Sequence, residues 1–124
     1  MVLENFEFKR SDRVAQQIQD IISEIITGKV IVQGLGLATV TKVKTSQNLR
    51  FSRIYLSFMD NTVEPEELII LMNRKIKEYR YQLGKELQIK YVPQIKFYYD
   101  NTFVEMEKIS RLINKANSEN GKSK

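Results

Sequence analysis

The stretch from Pro65 to Lys96 constrains the fold of this chain more than any other. In its first part, apolar side chains recur every three or four residues, the spacing that places them on one face of an α-helix. These residues are Leu68, Met72, Ile76, Tyr79 and Leu83. After Gly84, the alternating segment QIKYVPQIKFYYD is typical of a β-strand, and Pro93 favours an edge position or a bulge. The sequence therefore predicts one long helix, either straight or bent, that ends at Gly84 and is followed by a strand.

A second helix is predicted near the N-terminus. Ser11 is a suitable N-cap, Asp12 complements the positive end of the helix dipole, and Gly28 supplies a stop. Between them, apolar residues recur at helical spacing: Val14, Ala15, Ile18, Ile21, Ile22, Ile25 and Ile26. We expect this helix to bury an Ile-rich face.

Two alternating segments, 37–45 and 50–58, predict an antiparallel hairpin joined by a polar turn. In the first, the apolar side switches between Val40 and Val43, which a one-residue bulge explains, and the facing of Lys42 and Lys44 stays open. The second places Ser52, Ile54, Leu56 and Phe58 on one face, and Arg53, Tyr55 and Ser57 on the other.

The last predicted strand also alternates. One of its faces holds Ile89, Tyr91, Ile95, Phe97 and Tyr99, and the other holds Lys90, Gln94, Lys96 and Tyr98.

The spacing of the elements predicts their topology. A strand, a helix of about 20 residues and a further strand have the length of a crossover, so the last strand should lie parallel to a hairpin strand. A short final helix carries Met106, Ile109, Leu112 and Ile113. We therefore predict one α+β domain over residues 9–115, with the order α-β-β-α(-α)-β-α, a three-stranded mixed sheet and a disordered polar tail at 116–124. This order matches the type II K-homology (KH) fold.

Composition narrows the function. Lys and Arg outnumber Asp and Glu by 20 to 15, an excess that favours anionic partners. Cys and His are absent, which excludes disulfides, thiolate metal sites and Cys/His nucleophiles. The N-terminus lacks the pattern of a secretory signal, and no apolar run approaches the length of a membrane span. We expect a soluble cytoplasmic protein without a cofactor, a bound metal, a small-molecule substrate or a membrane partner.

Basic side chains on the predicted long helix form a ridge. Arg74, Lys77, Tyr81 and Lys85 follow one another at spacings of three, four and four residues. The candidate RNA-binding residues of the whole chain are Arg10, Arg13, Arg50, Arg53, Arg74, Lys75, Lys77, Arg80, Tyr81 and Lys85. Tyr55 and Tyr81 are candidates for stacking on an unpaired base, and packing or solubility is the alternative for both.

Three segments together carry a family resemblance: RSDRVAQQIQDIISEIIT, LGLATVTKVKTSQNLRFSRIYLSF and RYQLGKELQIKYVPQIKFYYDNT. They resemble bacterial ribosome-binding factor A over about residues 9–115. The resemblance implies a non-enzymatic assembly factor that binds the free or immature 30S subunit through 16S rRNA. It also implies help in maturing the 5′ end of that rRNA and a need for the factor during growth in the cold. A monomer is the default expectation.

The chain departs from the family pattern at three places. The family's Ala-x-Gly kink falls on Lys75, Ile76 and Lys77, and because neither small residue is present we expect a straighter helix. The usual acidic-proline-basic turn before the first strand reads VQG at 32–34, and the usual Asp of the hairpin is Asn48. We expect these changes to affect local contacts rather than the fold.

Two other classes of function stay open. One is a general single-stranded nucleic-acid-binding module of the KH type, although the chain has no G-x-x-G turn of the kind that clamps nucleotides. The other is a nuclease that uses Lys, Tyr or a metal held by carboxylates, for which Glu64, Glu66 and Glu67 are the dense acidic group. The helix dipole alone accounts for those carboxylates at the start of a helix. We predict no catalytic residue and no enzyme activity.

Overall fold

The computed structural model describes residues 2–122, and the side chains of residues 10–102 and 104–116. Within this part the helices are α1 (Val2–Gly28), α2 (Pro65–Arg74), α3 (Ile76–Glu86) and α4 (Thr102–Lys122). The strands are β1 (Leu37–Thr45), β2 (Phe51–Met59) and β3 (Gln94–Tyr99). The order α-β-β-α-α-β-α confirms the predicted α+β class. No helix in this part is long and apolar enough to cross a membrane.

The three strands form one mixed sheet in the order β1-β2-β3. β1 and β2 are antiparallel, whereas β3 runs parallel to β2 at the edge of the sheet, as predicted. Val40 pairs with Leu56 and Lys42 with Tyr55, so Thr41 is the extra residue of the predicted bulge. The bulge turns Lys42 to the side of the sheet away from Val40.

One face of the sheet, here called the inner face, packs against the helices. Ile54, Leu56 and Phe97 are fully buried there. The predicted apolar helix faces meet them, with Ile18, Ile22 and Ile25 from α1 and Leu68, Met72, Tyr79 and Leu83 from α2 and α3. The Tyr79 and Phe97 rings meet edge to face with centroids 4.9 Å apart. Burial, with a smaller contribution from Glu78, raises the pKa of Tyr79 to about 12.

The long helix is divided into α2 and α3 at Lys75, whose φ and ψ are −97° and 19°. The additional helix that the predicted order α-β-β-α(-α)-β-α allowed is therefore present, and the expectation of a straighter helix is wrong. The Lys75 N–H donates to the Met72 carbonyl at 3.0 Å, a bond of the 3₁₀ type. The Asn73 side chain accepts from the Phe97 N–H at 2.9 Å and donates to the Phe97 carbonyl at 3.1 Å. This pair of bonds ties the end of α2 to the sheet edge, and Tyr79 anchors α3 in the core. Tertiary contacts therefore override the local helix preference of this segment.

Two predicted helix boundaries are also wrong. α1 begins at Val2, so Ser11 is a buried residue inside the helix and not its cap. Gly84 lies within α3, which continues to Glu86. A Cβ on Gly84 would stand 3.1 Å from Cγ2 of Val92, so the close approach of the following loop accounts for this glycine.

The last strand is shorter than predicted. β3 begins at Gln94, directly after the buried Pro93, and Tyr91 is exposed instead of sharing the apolar face. The loop before the strand is held by Arg80, which donates from Nε to the Pro93 carbonyl (3.1 Å) and from Nη2 to the Val92 carbonyl (3.0 Å). These bonds hold Val92 and Pro93 against α3, and β3 begins only after them.

The turn before β1 depends on glycine. Gly34 has a φ of +83°, a conformation that favours glycine, and its carbonyl accepts the N–H of Thr62 at 3.0 Å. A Cβ at this position would collide with Cγ2 of Val63. The VQG sequence at 32–34 therefore forms a turn that depends on Gly34, in place of the acidic-proline-basic turn of the resembled family.

The predicted domain 9–115 and the predicted disordered tail 116–124 stay predictions. The helical backbone of α4 extends to Lys122. Residues 123–124 lie outside the described part of the chain.

Candidate nucleic-acid interface

The first candidate surface, the helix surface, consists of Arg74, Lys75, Lys77, Tyr81 and Lys85. All five side chains are exposed. Lys77, Tyr81 and Lys85 lie four residues apart within α3, so they share one side of that helix, and the Lys85 Nζ stands 4.6 Å from the centre of the Tyr81 ring. The break after Arg74 interrupts the predicted ridge, and Lys75 points back to donate to the Ile31 carbonyl at 3.4 Å.

Lys29 joins the helix surface from the end of α1. It lines a shallow pocket of 440 Å³ together with Lys77, Glu78 and Tyr81. Lys29 also forms an exposed ion pair with Glu86 at 3.5 Å. Glu78 and Glu86 reduce the net positive charge of this region, and Arg74, Lys77 and Lys85 are the cations of the helix surface for which the described structure shows no ion pair.

A second surface, the hairpin-end cluster, consists of Arg10, Arg50, Lys90 and Tyr91. These residues line a pocket of 320 Å³. The Arg50 guanidinium lies 5.3 Å and the Lys90 Nζ 5.6 Å from the centre of the Tyr91 ring. The fold thus brings together two predicted RNA-binding residues, Arg10 and Arg50. Lys90 and Tyr91 were missed because the sequence pattern placed them within a strand.

The hairpin turn positions Arg50. Asn48 Oδ1 accepts from Ser46 Oγ at 2.7 Å and from the Arg50 N–H at 3.1 Å. Leu49 has a φ of +60°, and its side chain packs against the core, which holds this uncommon conformation in place. Asn48 therefore supplies an acceptor oxygen where the resembled family has Asp.

The third surface is the outer sheet face, defined here by Lys42, Lys44, Arg53, Tyr55, Lys96 and Tyr98. The strand register sets these residues in two rows. Lys44 pairs with Arg53 and Arg53 with Lys96, while Lys42 pairs with Tyr55 and Tyr55 with Tyr98. All four cations are exposed. The sequence pattern left open which face of the sheet Lys42 and Lys44 point to, and it placed Lys96 and Tyr98 on one face of the last strand. Only the register shows that these four residues lie beside Arg53 and Tyr55.

Tyr55 and Tyr98 form a stacked pair on the outer sheet face. Their ring centroids are 5.4 Å apart and the ring planes differ by 27°. Lys42 Nζ lies 4.5 Å from the centre of the Tyr55 ring, and Lys96 Nζ lies 5.5 Å from that of Tyr98. Each ring thus turns one face toward the other tyrosine, and a lysine ammonium group lies over each ring.

Asp100 follows β3 directly. It accepts hydrogen bonds from Thr41 Oγ1 at 2.6 Å and from the Thr102 N–H at 3.0 Å. Bonds from Thr102 and Thr41 hold the pKa of Asp100 at about 2. The charge of Lys42 makes a smaller contribution to this lowered pKa, and no salt bridge joins the carboxylate to the lysines of the outer sheet face.

The remaining candidates differ in their surroundings. Arg13 is exposed on α1, three residues from Arg10. Arg80 is half-buried and uses its donors on the loop before β3, as described above. Among the side chains that the structure describes, no group of three or more acidic residues could hold a metal ion, and this applies to Glu64, Glu66 and Glu67.

Comparisons with known proteins agree on one family. The family model described as "Ribosome-binding factor A" matches residues 10–113. Proteins named ribosome-binding factor A from Vibrio campbellii and Cellvibrio japonicus are 32% and 33% identical to this chain, each over 91% of it and over 84% and 85% of their own lengths.

Solved structures share the fold. A crystal structure of ribosome-binding factor A from Thermus thermophilus matches with a TM-score of 0.62 and 18% identity, over 72% of this chain and 94% of that one. A Thermus thermophilus homology model fitted into the cryo-EM map of a 30S complex matches with a TM-score of 0.61 and 18% identity, over 73% and 96%. Given the family-model match and the sequence identities, this chain belongs to the ribosome-binding factor A family.

Proposed function

We propose that this chain is a ribosome-binding factor that attaches to the free or precursor small ribosomal subunit through its 16S rRNA. The observation that carries the proposal is the family match over residues 10–113. The related Thermus thermophilus protein fitted into the map of a 30S complex supports the choice of the small subunit. Exposed cations on three surfaces of the described structure supply groups that phosphates would meet.

We further propose that the factor assists maturation of the 5′ end of 16S rRNA without catalysis. It would hold an rRNA conformation that separate nucleases trim, as a monomer in the cytoplasm and most importantly in the cold. If the purified protein cleaved precursor rRNA in a metal-dependent reaction, this non-enzymatic role would be wrong.

The proposed contacts are the exposed side chains among the candidates predicted from the sequence. They are Arg10, Arg13, Arg50, Arg53, Arg74, Lys75, Lys77, Lys85 and Tyr81. We leave Arg80 out of this set, because its guanidinium already donates to the carbonyls of Val92 and Pro93. Each phosphate that a cation neutralises releases counterions, so binding should weaken steeply as salt rises.

The test of the helix surface is the double variant Lys77→Glu, Lys85→Glu. Both side chains are exposed, so we expect thermal stability to stay nearly unchanged while co-sedimentation with purified small subunits falls at moderate salt. The slope of log affinity against log salt should become shallower by roughly one for each phosphate that the variant no longer neutralises. Undiminished co-sedimentation would show that these two lysines do not contact the subunit.

A matched control carries the same change of charge elsewhere. Lys108→Glu, Arg111→Glu alters two exposed cations of α4, outside the proposed contacts. We expect this variant to co-sediment like the wild type. An equal loss in both double variants would mean that net charge, and not the helix surface, governs binding.

A general single-stranded nucleic-acid-binding module is the second candidate, and the stacked Tyr55 and Tyr98 rings favour it. A titration at fixed salt distinguishes the two. Small subunits should bind much more tightly than free oligonucleotides if the chain is a ribosome factor, whereas equally tight binding of both would favour the general module.

A further inference from the structure

The outer sheet face carries four cations in a small area. Lys44, Arg53 and Lys96 lie directly opposite one another across the three strands, and Lys42 lies one row away. None of the four takes part in an ion pair with any side chain that the structure describes. Their positive charge is therefore available to a partner.

The row of Lys44, Arg53 and Lys96 opposes folding slightly. Like charges directly opposite each other on neighbouring strands are destabilising. Nothing in the packing of the inner face requires cations here, because these side chains point away from the core. An anionic partner on this face would relieve the repulsion, so the arrangement is better suited to binding than to stability.

The tyrosine pair adds a second requirement for the partner. Tyr55 and Tyr98 are half-buried, which leaves part of each side chain in contact with solvent. Their rings stack on each other, with Lys42 over Tyr55 and Lys96 over Tyr98, so a base that stacks on a ring face not covered by the other tyrosine takes the place of a lysine ammonium group. The displaced lysine then lies beside the phosphate of the same nucleotide. A partner that uses both features needs negative charge and planar groups at close spacing, and unpaired nucleotides have both. Paired bases are already stacked within their own helix and do not offer free faces to such a platform.

We propose that the outer sheet face is a binding site for unpaired RNA nucleotides, with Tyr55 and Tyr98 stacking on bases and Lys42, Lys44, Arg53 and Lys96 contacting phosphates. The site is separate from the helix surface and from the hairpin-end cluster. This proposal adds to the proposed function the form of RNA that is bound, namely unpaired nucleotides. It rests on the proposed function only in taking RNA as the partner. In general, aromatic side chains on an open sheet stack on bases in several RNA-binding folds.

The test uses the full chain and a fluorescein-labelled oligouridylate of about ten nucleotides, at one fixed moderate salt concentration. Tyr55→Leu, Tyr98→Leu removes both π faces and should weaken binding about tenfold or more. Tyr55→Phe, Tyr98→Phe keeps the π faces and should bind like the wild type. Fluorescence anisotropy measures all three affinities.

An abasic oligomer of the same length separates stacking from charge. It keeps the phosphates and lacks the bases, so the leucine and phenylalanine variants should bind it as the wild type does. Lys44→Glu should weaken both ligands, because it removes a phosphate contact. Unchanged oligouridylate binding by the leucine variant, or an equal loss with the abasic oligomer, would overturn the proposal.

Two further measurements complete the test. In the wild-type protein, the ring protons of Tyr55 and Tyr98 should shift upfield on titration with oligouridylate, and unshifted resonances would contradict stacking even if the leucine variant failed to fold. Oligoglutamate should bind more weakly and without dependence on the tyrosines. If it bound equally well and with the same dependence, the site would fit an acidic protein segment instead of RNA.

The outcome also separates this proposal from the function. If oligouridylate binding does not depend on the tyrosines but Lys77→Glu, Lys85→Glu abolishes co-sedimentation, the proposed function stands and the sheet site fails. If oligouridylate binding depends on the tyrosines and small subunits do not bind, the sheet site stands and the proposed function fails.

Discussion

The same three strands form both faces of the sheet, but the inner face is buried against the helices and the outer sheet face carries exposed cations. Along β2, Ser52, Ile54 and Leu56 point inward and are buried, whereas Arg53 points outward and Tyr55 is only half-buried. The inner face carries a buried polar side chain, Ser52, whose hydroxyl lies 2.9 Å from that of Thr45. The outer sheet face carries four cations that form no ion pair with the described side chains. Stability therefore depends on one face, and on our proposal binding depends on the other.

The comparison predicts its largest effect for Phe97. Phe97→Ala removes a fully buried ring that packs against Tyr79, and should lower the free energy of unfolding by about 3–5 kcal/mol. Its neighbour on the opposite face gives the control. Lys96→Ala should change the free energy of unfolding by less than about 0.5 kcal/mol. Urea unfolding measures both, and similar losses in the two variants would contradict the division between faces.

The next effect concerns the edge of β3. Asn73→Ala leaves the N–H and carbonyl of Phe97 without their side-chain partner and should cost about 1–3 kcal/mol. Asn73→Asp keeps an acceptor for the Phe97 N–H but sets a carboxylate oxygen against the Phe97 carbonyl, so it should also destabilise the fold while still protecting the Phe97 N–H. Amide hydrogen exchange of Phe97 should be faster in the alanine variant than in the aspartate variant. Equal exchange rates of the Phe97 amide in the wild type and both variants would contradict the claim that Asn73 ties the end of α2 to β3.

The pKa of Tyr79 predicts a smaller, pH-dependent effect on the inner face. Burial raises it from 10 to about 12, so the folded state favours the neutral phenol. The stabilisation that follows is fully present below pH 10 and is lost as the pH rises toward 12. Between these pH values the melting temperature should fall more steeply with rising pH for the wild type than for Tyr79→Phe. Parallel curves would contradict a raised pKa.

Local patterns predicted much of the fold. Alternation identified the buried residues of β2, and the switch in the apolar side predicted a one-residue bulge between Val40 and Val43, where the register shifts at Thr41. Helical spacing identified the core residues of α1, α2 and α3. These predictions succeeded because burial on one face of a strand or helix imposes a period on the sequence itself.

Features that depend on distant pairs were left open or were not predicted. The sequence left open whether the long helix is divided at Lys75, and the bonds that hold the end of α2 there join Asn73 to Phe97, 24 positions away. The hairpin-end cluster joins Arg10 to Arg50 and Lys90, and the tyrosine pair exists only because β3 is parallel to β2 in one particular register. No local period encodes such contacts.

Lys44→Glu tests the division between the two faces most directly. The change places a carboxylate opposite Arg53, so it should leave the free energy of unfolding unchanged or raise it by about 0.2–1 kcal/mol. Affinity for purified small subunits, measured over a salt series on the same samples, should fall, and its salt dependence should become shallower. Unchanged affinity and slope, or a loss of stability in parallel with the loss of binding, would contradict the account.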